Sequence, residues 1–200
     1  ANAEHGRLVL TARQVAAPDL GYRFERLTWE CPLQRGKAGQ GWVCEGEIRS
    51  AGRSPLKLSV DLATASTDAV LSQGEASLSL HRNAAAPDLT RIDLVRVPIA
   101  WSQALLAQAW PTANLKNGRL AGSLGIESAD TGPLRVAGRL AVTQLALDTP
   151  DGSTAAEGLG GRFDLDFRKS PGLSLVTVDG ELNGGEILAR NAYIALPATP

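Results

Sequence analysis

Hydrophobic and polar positions alternate along most of this chain with a period of two. Leu8 and Leu10, then Leu56, Leu58, Val60 and Leu62, then Ala76, Leu78 and Leu80 each stand on one side of a run whose other side is largely polar. After Pro111 the pattern tightens. Leu120, Gly122, Leu124 and Ile126 share a face, as do Leu134, Val136, Gly138, Leu140 and Val142. Leu159, Gly161, Phe163, Leu165 and Phe167 follow, and then Val176, Val178, Gly180 and Leu182. Such alternation marks strands with one buried and one wet face. It predicts an all-β chain built as a meandering, strongly curved antiparallel sheet, in the form of a taco-like groove, an open barrel or a sandwich.

A glycine followed by a charged residue and then an apolar or small one recurs through these runs, at Gly6-Arg7-Leu8, Gly46-Glu47-Ile48, Gly74-Glu75-Ala76, Gly118-Arg119-Leu120, Gly138-Arg139-Leu140, Gly161-Arg162-Phe163 and Gly180-Glu181-Leu182. The charged member belongs on the wet face and the apolar member inside. Glycine lets the sheet bend or accept an aromatic neighbour. Phase slips between Phe24 and Leu27 and before Leu145 suggest bulges. The polar stretch Ala63 to Gln73 reads as the loop of a hairpin joining Leu56–Leu62 to the run from Ala76. Asn183-Gly184 is a hairpin signal that would return the chain through Ile187 to Leu196. Between Pro98 and Pro111, Ile99 to Trp110 is rich in Ala, Leu and Gln and predicts one short helix, packed across an open end or face of the sheet. Residues 1–200 read as a single β-rich domain, with Ala84 to Asp88 as the place where N-terminal hairpins (1–83) would meet a C-terminal meander (88–200).

Cys31 and Cys44 are the only cysteines. If Leu27–Leu33 and Trp42–Ile48 pair with Cys31 directly opposite Cys44, then Leu33 faces Trp42, Trp29 faces Gly46 and Leu27 faces Ile48, all on one side. That register favours a disulfide and an oxidising compartment. Two free buried thiols are the competing arrangement.

Composition narrows the picture. Hydrophobic residues make up 44% of the chain but aromatics only 4%, so Leu, Val and Ala carry the burial. A net charge of −1 from 20 basic and 21 acidic residues provides no field for nucleic acid, which is excluded as an expected partner. No apolar run reaches the roughly 18 residues of a membrane-spanning helix. With no methionine and no signal-like start, the chain reads as a processed product or an excised piece whose signal or anchor lies outside it.

Candidate chemistry is sparse. Ser54-Pro55-Leu56-Lys57 matches the S-x-x-K pattern but leads into a strand, where residues three apart point to opposite faces. Asp164 and Asp166 alternate with Phe163, Leu165 and Phe167 and so fall on the solvated side. Asp148 to Gly152 lacks the ligands of a calcium loop, and Gly158 to Gly161 lacks the helix of a phosphate cradle. His5 and His81 have no clustered partners in sequence, so neither a catalytic set nor a metal or cofactor site is expected.

The segments LKNGRLAGSLGIES, LRVAGRLAVTQLALDTPDGSTAAEGLGGRFDLDF and VDGELNGGEILARNAYIALP, with Val97-Pro98-Ile99 and the short helix ahead of them, resemble the AsmA-like envelope protein superfamily with its TamB/YdbH-type repeats, over about residues 90–197. The resemblance implies a periplasmic protein of Gram-negative bacteria, tethered to the inner membrane by an N-terminal anchor outside this chain, with a groove that shields phospholipid acyl chains. The expected lining is Leu120, Leu124, Ile126, Val136, Leu140, Val142, Phe163, Leu165, Phe167 and Val178. Two readings result. One is a non-enzymatic lipid-handling module of a longer envelope protein. The other is a structural or protein-binding β-module of an envelope or secretion complex, similar to the N component of type II secretion, that recruits envelope proteins through its sheet edges.

Overall fold

Each alternating run becomes a strand in the computed structural model, which describes residues 5–17, 22–36, 41–103, 112–128 and 132–197. In chain order the strands are β1 (His5–Ala17), β2 (Tyr22–Arg35), β3 (Trp42–Arg49), β4 (Leu56–Leu62), β5 (Ser66–Gln73), β6 (Ala76–Asn83) and β7 (Leu89–Pro98). A 3-10 turn (Ile99–Ser102) intervenes before β8 (Asn114–Glu127), β9 (Leu134–Asp148), β10 (Thr154–Ser170), β11 (Leu173–Asn183), β12 (Glu186–Ala189) and β13 (Ala192–Ala195). All belong to one antiparallel sheet that is not closed. Sequential strands pair from β1 to β11, a pure meander whose long strands carry the wet and dry faces side by side. Neither barrel closure nor a second sheet is present among the described residues, so the open, curved form is the one taken.

Four expectations change. The polar stretch Ala63 to Gln73 is not a hairpin loop. Its Ser66–Gln73 part is β5, which separates β4 from β6 and pairs with both. Inward-facing Ala69 and Leu71 suffice to seat it between two Leu-rich neighbours, and tertiary pairing overrides its weak local signal. Asn183-Gly184 does not fold β12 back onto β11. Instead β12 takes the remaining edge of β10, at Thr154 to Glu157, directly beyond the stretch that β11 occupies. The hairpin of this region is β12–β13, turning at Arg190, whose φ is 54°. Of the predicted helix, the described part is the 3-10 turn with Gln103 in helical geometry behind it, and the remainder lies outside the described residues.

The fourth change concerns the cysteines. Cys31 and Cys44 are joined as a disulfide, with Cα atoms 5.5 Å apart. They are not directly opposite, because Trp29 pairs with Ile48 and Leu33 with Cys44, two residues from the expected register. The bridge therefore runs diagonally, and Cys31 sits over Gly46. A Cβ at Gly46 would collide with the Glu30 carbonyl and lie 3.0 Å from Cys31 Cβ, so only glycine fits there. Parity is unchanged by a two-residue shift, so every side chain keeps its expected face.

Bulges hold that parity elsewhere. Arg96, at φ 50°, lies where the β7–β8 register shifts, and Leu94 and Val97 face the same side although three residues apart. Gln144, at φ 52°, does the same job in β9 ahead of Leu145. Extra residues of this kind bend a strand and increase its twist, which curls the sheet.

Buried apolar side chains are few among the described residues: Cys31 and Cys44 at the disulfide, Ala76, Ala156, and Val97, Ile99 of the 3-10 turn, Ala113, Val142 and Leu159. Ile99 packs where a side chain at Gly118 would otherwise stand, 3.1 Å from its Cγ2. Gln103 ties the turn to the start of β8: its Nε2 donates to the Ala113 carbonyl (2.9 Å) and its Oε1 accepts from the Leu115 amide (2.7 Å). The molecule exposes 13312 Å². A compact monomer of this mass exposes about 9,000 Å². A single uncovered layer accounts for the difference.

The disulfide closes its loop in a sheet with few buried side chains, so its removal has a measurable cost. Replacing both cysteines by alanine lowers the unfolding free energy by roughly 3 kcal/mol in the chain-entropy model, read as a lower denaturant midpoint. An unchanged midpoint contradicts the constraint.

Candidate functional site

Register assigns every side chain of the meander to one of two faces, because residues directly opposite on neighbouring strands point the same way. Followed through the strand pairs, one row reads Gly6, Leu33, Cys44, Val60, Ala69, Leu80, Ile92, Leu124, Gly138, Leu165 and Val178, from β1 to β11. The next reads Gly46, Leu58, Leu71, Leu78, Leu94, Gly122, Leu140, Phe163 and Gly180, from β3 to β11. Neither row contains a polar side chain. Eleven strands at about 4.8 Å spacing make the first row about 48 Å long.

All ten expected lining residues lie on this face. Leu124 and Leu165 flank Gly138 in the first row, which ends at Val178, and Leu140 and Phe163 adjoin in the second. Leu120 and Val142 belong to a third row with Val97. Ile126, Val136 and Phe167 form a fourth that runs on to Val176. The N-terminal half contributes Leu58, Val60, Leu71, Leu80, Ile92 and Leu94 to the same surface, which the choice of ten residues omitted. Their alternation was visible in the sequence. Their alignment with the C-terminal rows required the register of β5.

Glycine shapes this floor at Phe163. A Cβ at Gly161 would lie 2.8 Å from its Cζ, and a Cβ at Gly180 would lie 2.8 Å from its Cδ1. The ring thus rests against two glycines, where side chains would lift it off the sheet. Through the middle strands the apolar face is half-buried, and it opens toward both edges: Leu10 is 46% exposed on β1 and Val176 58% on β11. Substantial contacts between elements join only strands adjacent in the sheet, or the 3-10 turn and strands β7 and β8. Among the described residues nothing else covers the face.

The opposite face is charged. Its central row reads Glu45, Ser59, Val70, Ser79, Asp93, Ser123, Arg139, Asp164 and Asp179. Ion pairs cross it, including Lys57–Glu45 (2.6 Å), Arg139–Asp164 (3.1 Å) and Arg135–Asp166 (2.8 Å), while Arg168 bonds the same Asp166 carboxylate from its own strand (3.0 Å). Hydrogen bonds from Arg168 and then Arg135 hold Asp166 far below the usual carboxylate range, and Asp166 in turn raises both guanidinium pKa values. Asp164 and Asp166 are therefore members of a charge ladder on the solvated side.

His81 has a partner that spacing along the chain could not show. Its Nδ1 lies 2.5 Å from Asp68 Oδ1 across the β5–β6 ladder, and Ser66 Oγ donates to the other carboxylate oxygen (2.9 Å). The His81 contact, followed by that of Ser66, lowers the Asp68 pKa. The order of the three groups does not suit nucleophilic catalysis, because the carboxylate stands between hydroxyl and imidazole and takes the Ser66 hydrogen bond that a triad gives to the imidazole. Lys57 is engaged with Glu45 on the charged face. Asp148 to Gly152 is a turn, in which the buried Thr149 accepts from the Thr154 amide and Asp151 caps the Ser153 amide. No group of three or more metal-ligating side chains is present among the described residues, and no helix there is long and apolar enough to cross a membrane.

No family model, curated protein or solved structure matches this chain.

Depressed aspartate pKa values set the acid response of the charged face. Ionised Asp68, Asp93 and Asp166 are favoured by folding. Their stabilisation is therefore present above the ordinary aspartate value of 3.8 and is lost as pH falls through the lower folded values. Denaturation midpoints are expected to be flat between pH 5 and 7, within about half a unit of denaturant concentration, and to fall below about pH 4. Asp166→Asn should shrink that fall. An acid limb unaffected by this substitution contradicts the assignment.

Proposed function

We propose that this chain is a non-enzymatic module of the bacterial periplasm that shields or passes phospholipid acyl chains along its apolar face, as part of a longer protein anchored at the inner membrane. One observation carries the reading: rows of apolar residues, free of polar interruption, run across up to eleven strands on a face that no other element covers among the described residues. A large apolar surface left open by its own fold marks a site for another apolar surface. At about 48 Å the first row exceeds the roughly 15 Å of one leaflet of hydrocarbon, so it offers room for whole acyl chains lying across the strands. In the two long rows the lining is apolar, with one aromatic and no directional polar group, which suits chains that differ in length and unsaturation. The disulfide agrees with an oxidising compartment. The resemblance of residues 90–197 to AsmA-like repeats supports the same placement.

A second reading rests on the edges: among the described residues β1 and β11 each pair on one side only, which would let a structural module recruit envelope proteins by strand addition. The two differ in what occupies the apolar face.

Organic extraction of the purified chain should release stoichiometric phospholipid, and delipidated protein should bind a fluorescent fatty acid saturably. Leu124→Asp and Leu140→Asp place charge in the two long rows and should each weaken that binding by more than about tenfold, since an unpaired charge against an acyl chain costs a few kcal/mol. Ser79→Asp on the charged face should leave it within about twofold. A protein that carries no lipid and takes up none overturns the proposal.

A further inference from the structure

The two ends of the sheet are complementary to each other. Among the described residues β1 pairs only with β2, and β11 only with β10, so each presents an outer row of backbone donors and acceptors thirteen and eleven residues long. Long flat edges with exposed β-branched and aliphatic residues are templates for further pairing. Proline and lysine, which block such pairing, are missing from β11, whose sequence LSLVTVDGELN has only Asp179 and Glu181 as charged residues. Its Leu173, Val176 and Val178 are 66%, 58% and 57% exposed. On β1, Leu8, Val9 and Leu10 are 43%, 54% and 46% exposed.

Charge separates the two edges. On the polar side, β1 carries Arg7 and Arg13 and no acid, while β11 carries Asp179 and Glu181 and no base. Direction follows from topology. Ten successive antiparallel pairings lead from β1 to β11, so the two edge strands run the same way. A second copy moved along the sheet without turning would lay its β1 parallel to the first copy's β11, with both apolar faces on the same side.

The fold also bounds the register at one end. Beyond Asn183, the place beside β12 is filled by β13, and the Gly184 amide bonds the Pro197 carbonyl (2.9 Å) while the Leu196 amide bonds the Gly185 carbonyl (2.9 Å). An incoming strand can thus cover β11 only from Leu173 to Asn183. Covering all of it with His5–Val15 puts Leu8 beside Val176, Leu10 beside Val178, Ala12 beside Gly180 and Arg13 beside Glu181. Apolar then meets apolar at these positions, and Arg13 adjoins the opposite charge of Glu181.

We infer that this chain associates with itself head to tail, the β1 edge of one copy adding in parallel to the β11 edge of the next, so that sheet and apolar rows continue from copy to copy. The interface is heterologous and does not close on itself in a pair, so it grows. This inference is independent of what the apolar face binds.

Sedimentation velocity on the purified 200-residue chain, across a concentration series, tests it. The weight-average mass should rise past that of a dimer. Arg13→Glu and Glu181→Arg, both solvent-side substitutions, should each weaken association about five- to tenfold, the scale of turning an opposite-charge cross-strand pair into a like-charge one. The double variant Arg13→Glu/Glu181→Arg should recover growth. Mixing the two single variants restores an opposite-charge pair at both contacts and should give growth in alternating copies, at concentrations where each alone stays monomeric. Circular dichroism and thermal midpoints close to those of the parent chain establish that the variants fold. A chain monomeric throughout the series, a dimer that does not grow, or a double variant no better than the singles overturns the inference.

Discussion

Side chains on a strand change face at every residue, so a one-residue slip at any of the ten ladders between β1 and β11 would carry everything beyond it to the other side of the sheet. The register avoids this at each step. Where the chain has an odd residue to absorb, as at Arg96 and Gln144, a bulge takes it up and restores the phase. Backbone hydrogen bonding thereby does more than build the sheet. It keeps Val60, Leu80, Leu124 and Val178, from distant parts of the chain, in a single row.

A single curled layer has consequences for stability. Most apolar side chains remain half-exposed, and the few that are buried include the Cys31–Cys44 pair and Val97, Ile99 and Val142. The sheet must therefore draw on its ladders, on lateral contact between neighbouring aliphatic side chains, on the Cys31–Cys44 bridge and on the exposed ion pairs of the charged face. Exposed pairs contribute little individually and are screened by salt. They also keep the outer face hydrated, which discourages the sheet from curling the other way or stacking through that face.

Function divides along the same line. The charged face holds His81 with Asp68, and Asp166 between two arginines, carboxylates that are committed to an imidazole or to cations. The apolar face holds no such group in its two long rows. What it offers is area and shape, with glycines at positions 161 and 180 letting Phe163 lie against the floor. Recognition on such a surface is by burial, which is non-directional and suits long apolar chains.

Local pattern was enough to read the strands, the face of each lining residue from Leu120 to Val178, the solvated position of Asp164 and Asp166, and the slip before Leu145, because period-two alternation is written residue by residue. It failed at Ser66–Gln73, where Ala69 and Leu71 are too weak a signal without the neighbours that order them, and at Asn183-Gly184, whose hairpin chemistry was outcompeted by the free edge of β10. It also could not place Trp29 opposite Ile48, since a diagonal disulfide and a direct one leave the same parity. By itself the sequence determined an all-β chain with one wet and one dry side. Only the tertiary structure decided that the dry sides join into unbroken rows on one open sheet, and that His81 meets Asp68, because cross-strand neighbours are set by pairing between residues far apart in the chain.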